Sequence, residues 1–187
     1  MTEKQKVLDS VIKTFINKGE KLRSMRGGDF HEHLRRARNS NNYDWAAVEL
    51  AGLGASGETI DSAVQEYMIG ARTAFVLIRN EYLSMAISMA KRGASREVIE
   101  DLLKLVLESY PWIRALEELA QLAGRKPTRD EVFALVQRER ESMSYMSSDM
   151  HERYTAFAEK YLSARDVKRV IGILDEKVKQ WESEGAY

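Results

Sequence analysis

The chain of 187 residues contains no cysteine. Disulfides, thiolate catalysis and cysteine-based zinc sites are therefore excluded. Only two prolines are present, so little interrupts a helix. Abundant Ala, Leu, Glu, Lys, Arg and Met favour helix throughout. Net charge is also missing: 29 Lys and Arg face 29 Asp and Glu. That removes any global electrostatic argument for nucleic acid or an anionic membrane. No long hydrophobic run exists. Arg72 and Arg79 leave only Thr73 to Ile78 uncharged between them, far short of the ~20 residues of a membrane span. The first ten residues lack the apolar stretch of a signal peptide. With the absent cysteine, this makes a cytoplasmic location the expectation. Three histidines assemble no Ser/His/Asp arrangement. No segment alternates with the period of a strand, and no strong internal repeat stands out.

Apolar residues make up 44% and charged residues 31%, enough for a real core under a well-solvated surface. The length suits a single helical domain over 1–187, with 1–42 as a basic N-terminal appendage. The fold expected is all-α: a bundle of about seven helices built around two long ones.

The first long helix is read over about 59–92. Thr59 suits its N-cap, and Lys91, Arg92 and Gly93 suit its end. One face carries Ile60, Val64, Tyr67, Ala71, Phe75, Ile78, Tyr82, Met85 and Met89 at helical spacing. A second line, Ile69, Val76 and Leu83, runs along the other side every seven residues. It is a candidate subunit interface.

Elsewhere Leu8, Val11, Ile12, Phe15 and Ile16 mark a first helix. Short helices are expected over 30–38 and 45–51, the second capped by Asp44, with Asn39-Ser40-Asn41-Asn42 as a loop. Ser95 caps a helix, and Pro111 starts another that buries Trp112 and stops at Gly124. Val136, Met143, Met150 and Phe157 recur every seven residues and predict a second long helix, about 129–162; the alternative is a restart at Ser147-Ser148-Asp149, where Asp149 and Glu152 suit a new helix start. Ser163 caps the last one.

Several motifs bear on chemistry. Gly52 to Thr59 satisfies G-x-G-x-x-G before a helix, but phosphate loops of that kind need flanking strands, and Glu58 stands where a lysine belongs. It reads as a helix connection. His31 and His33 diverge on a helix and form no metal pair. Residues 18–38 hold seven Lys or Arg against three Asp or Glu, whereas 41–71 hold five acidic residues and no basic one. Lys21, Arg23, Arg26, Arg35, Arg36 and Arg38 are the candidate nucleic-acid contacts.

Gly124 to Val132, GRKPTRDEV, resembles the "G-R-x-P-T-x-x-E-[IV]" turn of helix-turn-helix domains, including those of bacterial sigma factors. That resemblance implies DNA reading by a following short turn and recognition helix. Here the chain runs on as Gln137-Arg138-Glu139-Arg140-Glu141, so a capped helix connection is expected. Met143, Met146 and Met150 with Tyr145 form an adaptable apolar run.

The reading is a non-enzymatic interaction or assembly protein, a subunit of a homo- or hetero-oligomer. The sequence identifies no cofactor, metal or small-molecule substrate for it. The alternative is a nucleic-acid-binding subunit that uses 18–38.

Overall fold

The computed structural model describes every residue except 26, 28–29, 75, 110–111, 143–146 and 184–187, together with the backbone alone of 30, 33–34, 37, 76–77 and 181. The described residues form nine α-helices and no strand. The all-α class holds, and nine helices replace the expected seven. The chain divides into two compact units, Met1–Leu102 and Leu103–Tyr187.

The first unit contains α1 (Glu3–Ser24), α2 (Phe30–Ala51), α3 (Gly57–Thr73), α4 (Val76–Ala90) and the start of α5 (Arg96–Ser109). Thr2 opens α1 with a capping box: its side chain accepts from Gln5 N, and the Gln5 side chain accepts from Thr2 N. α1 pairs with α2, and α3 pairs with α4. The two hairpins stack, α1 against α3 and α2 against α4. Residues 1–42 thus supply α1 and part of α2 to this unit. Ile12, Ala47, Val48, Val64, Tyr67, Leu83, Ala86 and Met89 are all buried in it. Each large aliphatic side chain so buried contributes about 1.5–3 kcal/mol.

The single helix expected over 59–92 is two helices. Ala74 takes an extended conformation, φ −85° and ψ 155°, and its N–H closes on Gly70 O at 3.0 Å. The reason is tertiary. A straight helix with two apolar faces needs neighbours on both sides, whereas folding back buries α3 and α4 on each other. Phe75 lies outside the described residues. A second correction concerns α2, which runs unbroken through the expected loop at Asn39–Asn42.

A local repeat is also present. Ala51-x-x-Gly54-Ala55-Ser56-x-Glu58-x-Ile60 recurs as Ala90-x-x-Gly93-Ala94-Ser95-x-Glu97-x-Ile99. Gly54 and Gly93 both have positive φ, 104° and 118°. In each copy the Gly and Ala N–H groups donate to the preceding Ala carbonyl, and the Ile N–H donates to the Ser carbonyl. Glycine stops one helix in the left-handed conformation and serine starts the next. The unit is thus two hairpins, each followed by the same turn.

The second unit holds the rest of α5, then α6 (Ile113–Leu122), α7 (Arg129–Ser142), α8 (Ser148–Tyr161) and α9 (Ala164–Ser183). α6 buries Ala115, Leu116, Leu119 and Ala120, while Trp112 stays exposed. The expected capping box at α7 is formed. Thr128 N donates to Glu131 Oε2 at 2.7 Å, and Glu131 N donates to Thr128 Oγ1 at 3.3 Å. The stretch 129–162 takes the two-helix alternative. Ser147 starts α8 by accepting from Met150 N at 3.3 Å. Met143, Tyr145 and Met146 lie outside the described residues. α7, α8 and α9 pack on one another. Arg129 grips Asp166 through two bonds of 3.0 Å between α7 and α9, and His151 meets Asp175 at 2.9 Å between α8 and α9.

Glu139 is buried on α7, and burial raises its carboxyl against the pull of the Tyr154 hydrogen bond and Arg153. A raised folded value favours the protonated form. Its stabilising contribution is therefore full below the ordinary glutamate range and is lost as pH rises through the folded value. Glu139→Gln keeps the shape and removes that loss. Its melting temperature should match the wild type at pH 4 and exceed it at pH 8. A variant less stable than wild type at both pH values would contradict this account of Glu139.

Candidate functional site

The most connected polar group in the first unit draws one or more side chains from each of α1, α2, α3 and α4. Arg23 of α1 reaches Asp44 Oδ2 and Ser40 Oγ of α2. Tyr67 of α3 donates its hydroxyl to Asp44 Oδ1 at 3.2 Å. The Arg23 guanidinium lies 4.6 Å from the ring centroid of Tyr82 on α4. Ser40, Asp44 and Tyr67 are each no more than 1% exposed.

Burial pushes the Asp44 carboxyl up despite Arg23, Tyr67 and Ser40. Burial also works against the charge on Arg23, but the bond to Asp44 and its field outweigh it and hold the guanidinium charged. The Tyr67 hydroxyl is pushed well up by burial and by the Asp44 charge beside it. A cavity of about 10 Å³ adjoins this polar group, lined in part by Arg23, Asn41, Asp44 and Tyr82. That is room for one water-sized group only.

Two glycines inside helices make this arrangement possible. A Cβ on Gly19 would lie 2.7 Å from Asp44 Oδ1, and one on Gly70 would lie 2.3 Å from the Tyr82 ring. Gly19 does not break α1; it admits Asp44 against it. Asp44 is therefore a buried ion-pair partner rather than the N-cap of a short helix. Within the helical Asn39–Asn42 run, Ser40 and Asn41 line this polar centre while Asn39 and Asn42 stay exposed.

The six basic candidates separate. Arg23 is committed to Asp44. Arg36 pairs with Glu32 at 2.5 Å and donates to the carbonyls of Met25 at 3.2 Å and Gly27 at 2.7 Å. Lys21, Arg35 and Arg38 are exposed. Arg26 lies outside the described residues. The apolar line also separates. Ile69 is exposed on α3, Leu83 is buried on α4, and the Val76 side chain lies outside the described residues. The break at Ala74 removes the seven-residue register that joined the three.

At the Gly52–Thr59 turn the N-terminus of α3 already has an anion. The Asp9 carboxylate accepts from Ser56 N at 3.0 Å and Ser56 Oγ at 2.7 Å. Burial alone would raise this carboxyl, but the Ser56 bonds, Thr59 and Lys13 together bring it below the ordinary range. Asp61 accepts from Ser95 N at 2.7 Å beside the start of α5. Both turns are thus tied down by carboxylates from an earlier helix.

Among the described residues no three His, Asp or Glu side chains converge as metal ligands. Nor is any helix there long and apolar enough to cross a membrane. Comparison with protein-family models, curated proteins and solved structures gives no significant match.

Proposed function

We propose that this protein is a non-enzymatic helical interaction protein, a subunit of a homo- or hetero-oligomeric assembly. One observation carries the reading. Val7, Val11 and Leu53, on or just beyond the first hairpin, are large apolar residues left exposed, Val7 at 63% and Leu53 at 64%. Stacked helical hairpins bury the side turned to the next hairpin and leave the end of the stack open. An apolar open end fits a subunit contact. The test is size. Purified protein, and protein from gently lysed native cells, are run by sedimentation and size exclusion. An assembly larger than the 21.4 kDa chain in either sample supports the reading. A monomer in both contradicts it.

Exposed Lys21, Arg35 and Arg38 favour a second reading, contact with nucleic-acid phosphates. Each phosphate neutralised on duplex DNA adds about 0.9 to the log–log salt slope. Alanine at all three positions should flatten that slope by about 2.7 if all three make contacts. No binding at low salt, or an unchanged slope, removes this reading.

A further inference from the structure

The first hairpin packs on the second by one side only. Asp9 reaches Ser56 from α1, and from α2 Asp44 meets Tyr67 while Glu49 pairs with Arg92 at 3.1 Å. These contacts fix which sides of α1 and α2 face α3 and α4. At about 100° per residue, the outer side of α1 carries Val7, Val11, Phe15 and Lys18, and that of α2 carries Tyr43 and Leu50. The exposures agree. Val7 and Val11 are exposed, while Phe15, Tyr43 and Leu50 are half-buried. Phe15 and Tyr43 meet with ring centroids 5.7 Å apart, and the Lys18 ammonium lies 5.7 Å from the Tyr43 ring. The two outer sides therefore join along one seam.

Among the described residues, cations outnumber carboxylates on this side. Lys4, Lys18 and Arg35 fall on it by helical geometry and are exposed. The carboxylates that share it, Glu3 and Glu32, are paired with Lys6 and Arg36. We propose that this outer side of the first hairpin docks an amphipathic helix of a partner protein. The partner's apolar stripe covers Val7, Val11, Phe15 and Leu50, and its carboxylates face Lys4, Lys18 and Arg35. A third helix seats in the seam of two as α3 and α4 seat on the other side of the hairpin. A second copy would bring the same three cations against themselves. A lipid surface needs protruding apolar groups, whereas Phe15, Tyr43 and Leu50 lie half-buried in the seam.

The proposal rests on the interaction reading above. Its test uses the full chain and two synthetic helical peptides of about 20 residues, long enough to hold a helix. Both carry leucines on one side; glutamates flank them in one peptide and lysines in the other. The glutamate peptide is expected to bind at least about tenfold more tightly, a difference of about 1.4 kcal/mol, and to weaken with salt. Val11→Asp should abolish binding, and Lys18→Glu should move the preference towards the lysine peptide, both with unchanged circular dichroism. Equal binding of the two peptides, or binding indifferent to Val11→Asp, overturns the proposal. So does a dimer that Val11→Asp dissociates, which assigns the side to a second copy, or binding to phosphatidylserine vesicles with none to the glutamate peptide. A native assembly that persists in Val11→Asp keeps the interaction reading and removes this side from it.

Discussion

Replacing Asp44 by alanine should destabilise the protein by about 3–5 kcal/mol, because it leaves a largely buried guanidinium without its carboxylate. Total stability is typically about 5–15 kcal/mol, so the first unit should be close to unfolding. Asp44 also accepts from Tyr67 and Ser40, so its loss strands more than one donor. The expected signature is non-additivity. Arg23→Met combined with Asp44→Leu removes both charges and should recover at least half of the loss, since an apolar pair of similar volume is often as stable as a buried ion pair. Chemical denaturation of Arg23→Met, Asp44→Leu and the double variant, beside Asp44→Ala, measures this. A double variant as unstable as the sum of the singles would mean that Arg23 and Asp44 act separately.

The second large effect has a sign that local propensity gets wrong. Alanine is favoured over glycine inside a helix by about 0.8–1.0 kcal/mol. At Gly172, in the interior of α9, a Cβ meets nothing within 4 Å, so Gly172→Ala should stabilise. At Gly70 the same atom lands 2.3 Å from the Tyr82 ring, and that ring lies against Arg23. Overpacking of this kind costs about 1–3 kcal/mol, so the clash wins. Gly70→Ala should lower the melting temperature and Gly172→Ala should raise it. Two rises would show that Tyr82 is free to move off α3.

Much of the fold follows from local chemistry. The Thr128–Glu131 capping box and the Ser95 and Ser163 starts are properties of a few adjacent residues, and all appear as expected. Ser147 has the same chemistry, but a seven-residue apolar rhythm spans the two helices on either side of it, so local residues leave one helix and two both open there. The break at Ala74 has no local marker, neither glycine nor proline. It follows from what α3 and α4 bury when they fold back. The polar centre was hidden for the same reason. Asp44 before an apolar segment looks like a cap, and nothing nearby announces Arg23, Tyr67 and Tyr82. The signals that were legible are the two helix-interior glycines, Gly19 and Gly70, and the recurring Ala-x-x-Gly-Ala-Ser turn. Repeated turn chemistry points to repeated hairpins.

The stacked-hairpin account depends most directly on α3 and α4 folding back at Ala74, and one distance tests it. The cysteine-free chain allows a spin label at Glu58→Cys and Lys91→Cys without background. Both positions are exposed. A continuous helix would hold them about 50 Å apart. Folding back brings the end of α4 beside the start of α3, as the Asp61–Ser95 bond of 2.7 Å requires. Packed helix axes lie about 8–10 Å apart, so with the label arms the account gives a single distance of about 20 Å or less. A distribution centred near 50 Å would contradict it and restore one straight central helix.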